Sequence, residues 1–241
     1  MKIVGIIPCR YASSRLPGKP LADLNGKPMM WHVYQRCIES NVLDEIYIAT
    51  ENKRIKNVAE DLGLKVVMTN KSHKTGTDRA AEVATKIDSD IYVNIQGDEP
   101  LLDPNAIIKV VNGLVRCDDS MVMATNACAN IGEASDILDT NVVKVILSAS
   151  DNALAYSRLA IPFSKSGKEN YIKQLGLYAF RKSGLQIYSE QEPGYLESAE
   201  GIEMYRLVEH GYHVKMIKTG DKSISVDTPD DLERVRKIME L

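Results

Sequence analysis

Arg10, Arg15 and Lys19 stand within ten residues of one another in "GIIPCRYASSRLPGKPL" (5–21), directly after an apolar run that ends at Pro8. Pro17 and Pro20 forbid a helix through this stretch, and a buried strand does not carry three cations. The spacing therefore predicts a loop leaving the end of a strand. Lysine gives a mobile point charge and arginine a bidentate fork, so together they can surround a polyphosphate. A solvated surface loop accounts for the three charges equally well. Two carboxylates shift the balance. Asp98, in "QGDEP", leaves an apolar strand, and Asp227, in "SVDTPDD", follows a short β-prone run. A polyphosphate site needs a divalent ion, and Mg²⁺ is commonly held by one or two carboxylates plus the substrate. Each carboxylate alone is a weak signal, because Gly-Asp is a common turn pair and Asp and Thr are common helix caps.

Other chemistries lack their residues. GxxxxGK[ST] is absent, and no GxGxxG follows the first strand. No Ser-His-Asp or HExxH arrangement is visible. His32, His73, His210 and His213 are dispersed: His32 reads as structural, and His210 and His213 as solvated or capping groups at a helix end. Cys9, Cys37, Cys117 and Cys128 form no CxxC pair, which points away from zinc and disulfides and toward a reducing cytoplasm.

The elements that must position these residues alternate. "IVGIIP", "EIYIAT", "LKVVMT", "DIYVNIQ" and "SMVMATNA" read as strands. Between them, the segments from Pro28 to Glu39, "NKRIKNVAEDLG" with Gly63 as its cap, "TDRAAEVATKI" and "PNAIIKVVNGLV" read as helices. Such alternation predicts an α/β fold with a doubly wound, mostly parallel sheet, whose ligands bind beyond the carboxyl ends of the strands. The cationic loop and "QGDEP" both fall at such ends. After about residue 126 the rhythm changes. "NVVKVILS" and "QLGLYAFR" read as strands without a simple crossover, and "PFSKSGKENYIK" as a polar loop between them. "SAEGIEMYRLVEHG" (198–211) reads as one helix capped by Gly211, "YHVKMIKTG" as a strand, and "TPDDLERVRKIMEL" as a closing helix with Thr228 as N-cap. The expectation is one α/β domain over 1–241 with an inserted second lobe.

Composition narrows the function classes. The 241 residues are 44% hydrophobic with a net charge of −3, enough for a full core and unlike a general nucleic-acid binder. No apolar run approaches the ~20 residues of a membrane span, and the N-terminal run is too short for a signal-peptide core. The expected protein is soluble and cytoplasmic, without nucleic-acid or membrane partners.

The motifs in order, "IIPCRYASSRLPGKPL", "GKPMMWHV", "TGTDRAAEV", "NIQGDEPLL", "VVKVIL", "YSRLAIPF", "LGLYAFR" and "VDTPDDLERVR", resemble the CMP-Kdo synthetase (3-deoxy-manno-octulosonate cytidylyltransferase) family over essentially the whole chain. The resemblance implies a nucleotidyltransferase, Rossmann-like fold. Residues 1–125 would mainly bind CTP, and 126–220 would mainly bind a sugar acid and form a homodimer. It implies attack of the anomeric hydroxyl of a 2-keto-3-deoxy sugar acid on the α-phosphorus of CTP, releasing diphosphate, in lipopolysaccharide or capsule synthesis. By the same resemblance Arg10, Arg15, Lys19 and Asp98 are catalytic, and Asp98 and Asp227 hold Mg²⁺. Pro8, Cys9, Arg10, Lys19, Thr75, Gly76, Arg79 and Gln96 bind CTP. Lys144, Arg158, Gln174, Tyr178, Glu203 and Met204 bind the sugar acid.

The chain departs from the family pattern at three of these positions. Cys9 replaces a usual Ala, Gln174 a usual His, and Met204 a usual Gln. The last two fall on the sugar-acid side. Kdo is the first expectation for the acid. The same chemistry on 8-amino-Kdo, another nonulosonic acid or a phosphonate remains open, as does a non-catalytic nucleotide-binding subunit.

Overall fold

A computed structural model describes residues 1–12, 15–165, 167, 170–220 and 223–240. Along the chain come β1 (Ile3–Pro8), a single 3-10 turn (Lys19–Leu21), β2 (Asp23–Leu24), β3 (Lys27–Pro28), α1 (Met29–Glu39), β4 (Glu45–Thr50), α2 (Lys53–Asp61), β5 (Val66–Met68), α3 (Gly76–Lys86) and β6 (Ile91–Ile95). Then follow α4 (Pro104–Val115), β7 (Val122–Asn130), α5 (Ala134–Leu138), β8 (Lys144–Leu147), β9 (Ala153–Ser157), β10 (Ile172–Arg181), α6 (Lys182–Glu190), α7 (Tyr195–Glu200), α8 (Tyr205–Glu209), β11 (His213–Lys218) and α9 (Pro229–Met239). The chain forms two compact units, Met1–Ile108 with Lys222–Leu241, and Lys109–Asp221.

The first unit is the α/β sheet expected from the alternation. Its order is β6-β1-β4-β5, parallel throughout. β1 is paired on both sides, so its backbone bonds are satisfied within the sheet and the run "IVGII" is buried on both faces. The helices follow their sequence signals. α2 is capped by Asn52, Gly63 sits just past its end at φ +72°, and Thr75 opens α3 in a capping box with Asp78. Leu24, Met29, Val226, Leu232 and Val235 form one buried cluster that packs α9 beside β2 and the start of α1.

In the second unit β7 pairs parallel with β11 and antiparallel with β10, while β8 pairs antiparallel with β9 and β10. This explains why the sequence rhythm changed: β8 and β9 follow one another as an antiparallel pair and β10 runs antiparallel to β7, so the regular helical crossover between parallel neighbours is lost. β9 and α6 were not anticipated. The helix expected over 198–211 is in fact two, α7 and α8. Gly201 ends α7 at φ +65°, a left-handed conformation that halts helical propagation.

α7 is locked to α8 by a buried ion pair. Arg206 Nε lies 2.8 Å from Glu197 Oε2 and Nη2 2.5 Å from Oε1, and the guanidinium stacks 4.0 Å from the Tyr188 ring centroid. Removing one partner strands a charge out of water. Glu197→Ala is therefore expected to lower unfolding free energy by about 3–5 kcal/mol. Chemical denaturation measures this, and a loss below about 1 kcal/mol would show that the pair is solvated in solution.

The histidines and cysteines take no part in the polar cluster described below. His32 Nε2 bonds Leu24 O, His73 bonds Glu82, His210 Nδ1 bonds Arg206 O, and His213 Nδ1 bonds Asp119. All four cysteines are free. Burial pushes the Cys9 and Cys37 thiols up, and that of Cys128 up to about 11.

Candidate active site

A charged cluster lies at the carboxyl ends of β1 and β6, within the first unit. Lys19 opens the 3-10 turn directly after Gly18, which holds φ +69°. Its Nζ lies 2.6 Å from Asp98 Oδ2 and 3.1 Å from Asp227 Oδ1. Arg15 Nη2 reaches the same Asp227 oxygen at 3.2 Å. Burial works against the charge on Lys19, but Asp98 and Asp227 outweigh it and raise its pKa, so it stays an ammonium at neutral pH. Arg10 is exposed at the root of the loop.

One backbone hydrogen bond and one buried apolar contact bring the distant carboxylates together. The Val226 N–H donates to Asp98 O at 2.9 Å, which lays the segment before α9 against the turn after β6. Val226 is itself anchored in the buried cluster that holds α9. The cap of α9 is made by others. Thr228 Oγ1 accepts the Asp231 N–H, and Asp231 accepts from the backbone of Asp227 and Thr228. Asp227 is therefore not used as a cap, and its carboxylate turns toward Lys19 and Arg15.

Pro8, Gly76 and Gln96 also converge. A Cβ on Gly76 would sit 3.2 Å from Gln96 Nε2 and 3.5 Å from Pro8 Cγ. A Cβ on Gly97 would sit 2.7 Å from Pro8 O and 3.0 Å from Cys9 Sγ, so "QGD" requires its glycine for close backbone approach. Cys9 lies fully buried under this turn. Thr75 caps α3. Arg79 is also buried: its Nη2 pairs with Glu51 at 2.9 Å, and its Nη1 donates to Thr69 Oγ1. Burial pulls its pKa down against the opposing pull of Glu51. Glu51 was not singled out from the sequence. A carboxylate one residue past a strand end was its only signal.

The residues expected at a sugar acid all lie in the second unit. Gln174 Nε2 donates to Tyr178 Oη at 2.7 Å, across a β10 bulge that Asn126 Nδ2 clamps through Leu175 O and Leu177 O. Gln174 Oε1 is buried with no hydrogen-bond partner among the described residues. Arg158 Nε donates to Glu200 O and its Nη1 to Thr140 O. Lys144 is fully buried, with Nζ donating to Asp139 O, Val142 O and Arg158 O at 2.7–2.8 Å. An ammonium has three donors, so these carbonyls use them all. Met204 is fully buried at the start of α8, and Glu203 beside it is half-buried.

A cytidylyltransferase family model matches residues 4–223. The chain is 43% identical to a 3-deoxy-manno-octulosonate cytidylyltransferase of Geotalea daltonii, over 98% of this chain and 97% of that protein. It is 39% identical to one from Escherichia coli, over 99% and 96%. Among solved structures, CMP:2-keto-3-deoxy-manno-octonic acid synthetase complexed with CTP superposes with a TM-score of 0.94 at 38% identity, covering 100% of this chain and 99% of that one. An inositol-1-phosphate CTP transferase from T. maritima shares the fold alone, with a TM-score of 0.68 at 18% identity over 98% of this chain and 94% of that one. The chain belongs to the cytidylyltransferase family, among the 3-deoxy-manno-octulosonate cytidylyltransferases.

Proposed function

We propose that the protein transfers the cytidylyl group of CTP to 3-deoxy-manno-octulosonate (Kdo). The observation that carries this reading is the convergence of Lys19, Arg15, Asp98 and Asp227 on one point of the first unit. The anomeric hydroxyl oxygen forms a bond to the α-phosphorus, the α–β anhydride bond breaks, and diphosphate leaves. The protein has little covalent work in such a displacement; it positions the reactants and stabilises charge. Arg10, Arg15 and Lys19 hold the triphosphate and meet the charge growing on diphosphate. Gly76, Pro8 and Gln96 frame the base and ribose, with Thr75 at the helix start and Cys9 and Arg79 supporting from beneath.

The donor set of Asp98 and Asp227 fits a divalent ion. Both carboxylates point at a single cation, and no cluster of three or more acidic, His or Cys ligands exists among the described residues. Two carboxylates leave the remaining positions to water and phosphate oxygens, the arrangement Mg²⁺ favours. Mg²⁺ bound there would neutralise the phosphates and polarise the α-phosphoryl group.

On the sugar-acid side we assign contact to Arg158, Gln174, Tyr178 and Glu203, with Lys144 and Met204 as buried supports. A second reading is the same chemistry on an amine-bearing acid such as 8-amino-Kdo, whose N–H would satisfy the buried, unpartnered Oε1 of Gln174 as a Kdo O–H would. A buried acceptor without a donor is costly, and a substrate N–H or O–H would satisfy it. Exposed Leu159 and Phe163, 70% and 90% accessible, support a homodimer built through the second unit. The free cysteines support a cytoplasmic setting, and no described helix is long and apolar enough to cross a membrane.

Diphosphate release with CTP, measured on Kdo, 8-amino-Kdo, a nonulosonic acid and a phosphonate, tests the reading. Kdo is expected to give the highest kcat/KM. Preference for 8-amino-Kdo by tenfold would move the assignment to the second reading, and no release with any acid would leave only nucleotide binding. Sedimentation of the same preparation checks the dimer, and a monomer at assay concentration would remove it.

A further inference from the structure

Glu51 follows the last residue of β4, the strand that pairs with β1 where the cationic loop begins. Its Oε1 accepts the backbone N–H of Tyr11 at 3.0 Å. Its Oε2 lies 2.9 Å from Nη2 of Arg79, whose side chain is 4% exposed. Arg79 is fixed in turn by Thr69 Oγ1 and Asn70 O. Oε2 makes this contact as an ion pair without hydrogen-bond geometry. A buried guanidinium needs an anion, so Arg79 keeps the Glu51 carboxylate beside it while Oε1 meets the first N–H of the loop.

Tyr11 then closes that loop. Its carbonyl accepts the Gly18 N–H at 3.0 Å. Its ring packs beneath Gly18, where a Cβ would stand 3.3 Å from a ring carbon. Arg54 lies over the ring at 5.7 Å from its centroid and donates to its hydroxyl at 3.3 Å. Arg10 immediately precedes this closed segment and Lys19 immediately follows it. Two cations are thus carried at the two ends of a loop that is pinned through the backbone N–H and C=O of one residue, Tyr11.

We propose that Glu51, backed by Arg79, is a positioning residue for the reaction. Through the Tyr11 backbone it fixes the spacing of Arg10 and Lys19, so that binding a triphosphate orders less of the chain. Preorganisation of this kind appears as affinity, because the ordering cost is removed from the binding step. The proposal rests on the reading of this loop as the triphosphate cradle.

The test compares Glu51→Ala with Glu51→Gln, by hydrogen–deuterium exchange of residues 9–19 without nucleotide and by KM and kcat for CTP. Glu51→Ala is expected to speed exchange in that segment about tenfold while β1 and β6 exchange as before. It should raise KM for CTP about tenfold and change kcat less, since Lys19 still reaches its partners. Glu51→Gln retains an acceptor for the Tyr11 N–H and should recover most of the protection. A merely structural role would leave KM for CTP unchanged in both variants, whatever stability is lost by leaving Arg79 without its anion, and would overturn the proposal. Wild-type exchange and KM in a folded Glu51→Ala would overturn it as well. If Glu51→Ala does not fold, Glu51→Asp decides, because it keeps a carboxylate for Arg79 but draws it back from the Tyr11 N–H, and it must show the same two changes. Exchange is read without nucleotide, so that arm judges the anchor even if the wild-type chain bound no CTP, an outcome that would instead sink the functional reading.

Discussion

Asp98→Asn is expected to keep the fold and lose at least ~10²-fold in turnover, the scale of removing one preorganised electrostatic group. The substitution conserves volume and leaves an oxygen that can still accept from Lys19 Nζ, now 2.6 Å away. The turn itself is held by its backbone, through the Val226 N–H on Asp98 O and the close approach of Gly97 to Pro8 O, and neither involves the carboxylate. The melting temperature should therefore move little. What is removed is one of the two carboxylate charges that face the proposed metal position among the described residues. Initial rates of diphosphate release over a Mg²⁺ titration decide the matter. Near wild-type turnover at saturating Mg²⁺ would take Asp98 out of the metal site.

Lys19→Ala is expected to lower kcat by about 10²-fold in addition to raising KM for CTP. Charge accumulates on diphosphate as the anhydride bond breaks, and only an interaction that strengthens in the transition state changes kcat. Lys19 is suited to that task. It is half-buried and stays charged, held between Asp98 and Asp227 on the turn after Gly18. Its removal also leaves the two carboxylates facing each other across the site, so metal affinity should rise in the variant while catalysis falls. Steady-state kinetics at saturating CTP and Mg²⁺ separate the terms. A raised KM with unchanged kcat would make Lys19 a binding cation only.

Local sequence was sufficient for the alternating elements of the first unit and for the charged candidates. β-branched runs, spaced turns, the Thr75 and Thr228 caps and the glycine after α2 are decided by contacts within a few residues, so strand–helix alternation specified the parallel sheet of the first unit. Side-chain chemistry likewise marked Arg15, Lys19, Asp98 and Asp227, because three cations on a proline-bearing loop fit neither a helix nor a buried strand. Tertiary structure decided the rest. The split of 198–211 hinged on Gly201 turning left-handed, which a Gly within a helical pattern does not announce. The burial of Lys144 and Met204, and the Gln174–Tyr178 contact across a bulge, depend on how β7, β8 and β10 pair, a non-local matter. The pairing of Glu51 with Arg79 carries no local signal, because it exists only once β4 and α3 are folded together. Asp98 and Asp227 meet through one backbone hydrogen bond between segments far apart in the chain. Sequence fixes what each segment can be, since secondary structure and capping are short-range. Which charges meet is set by packing, where separation along the chain no longer measures distance.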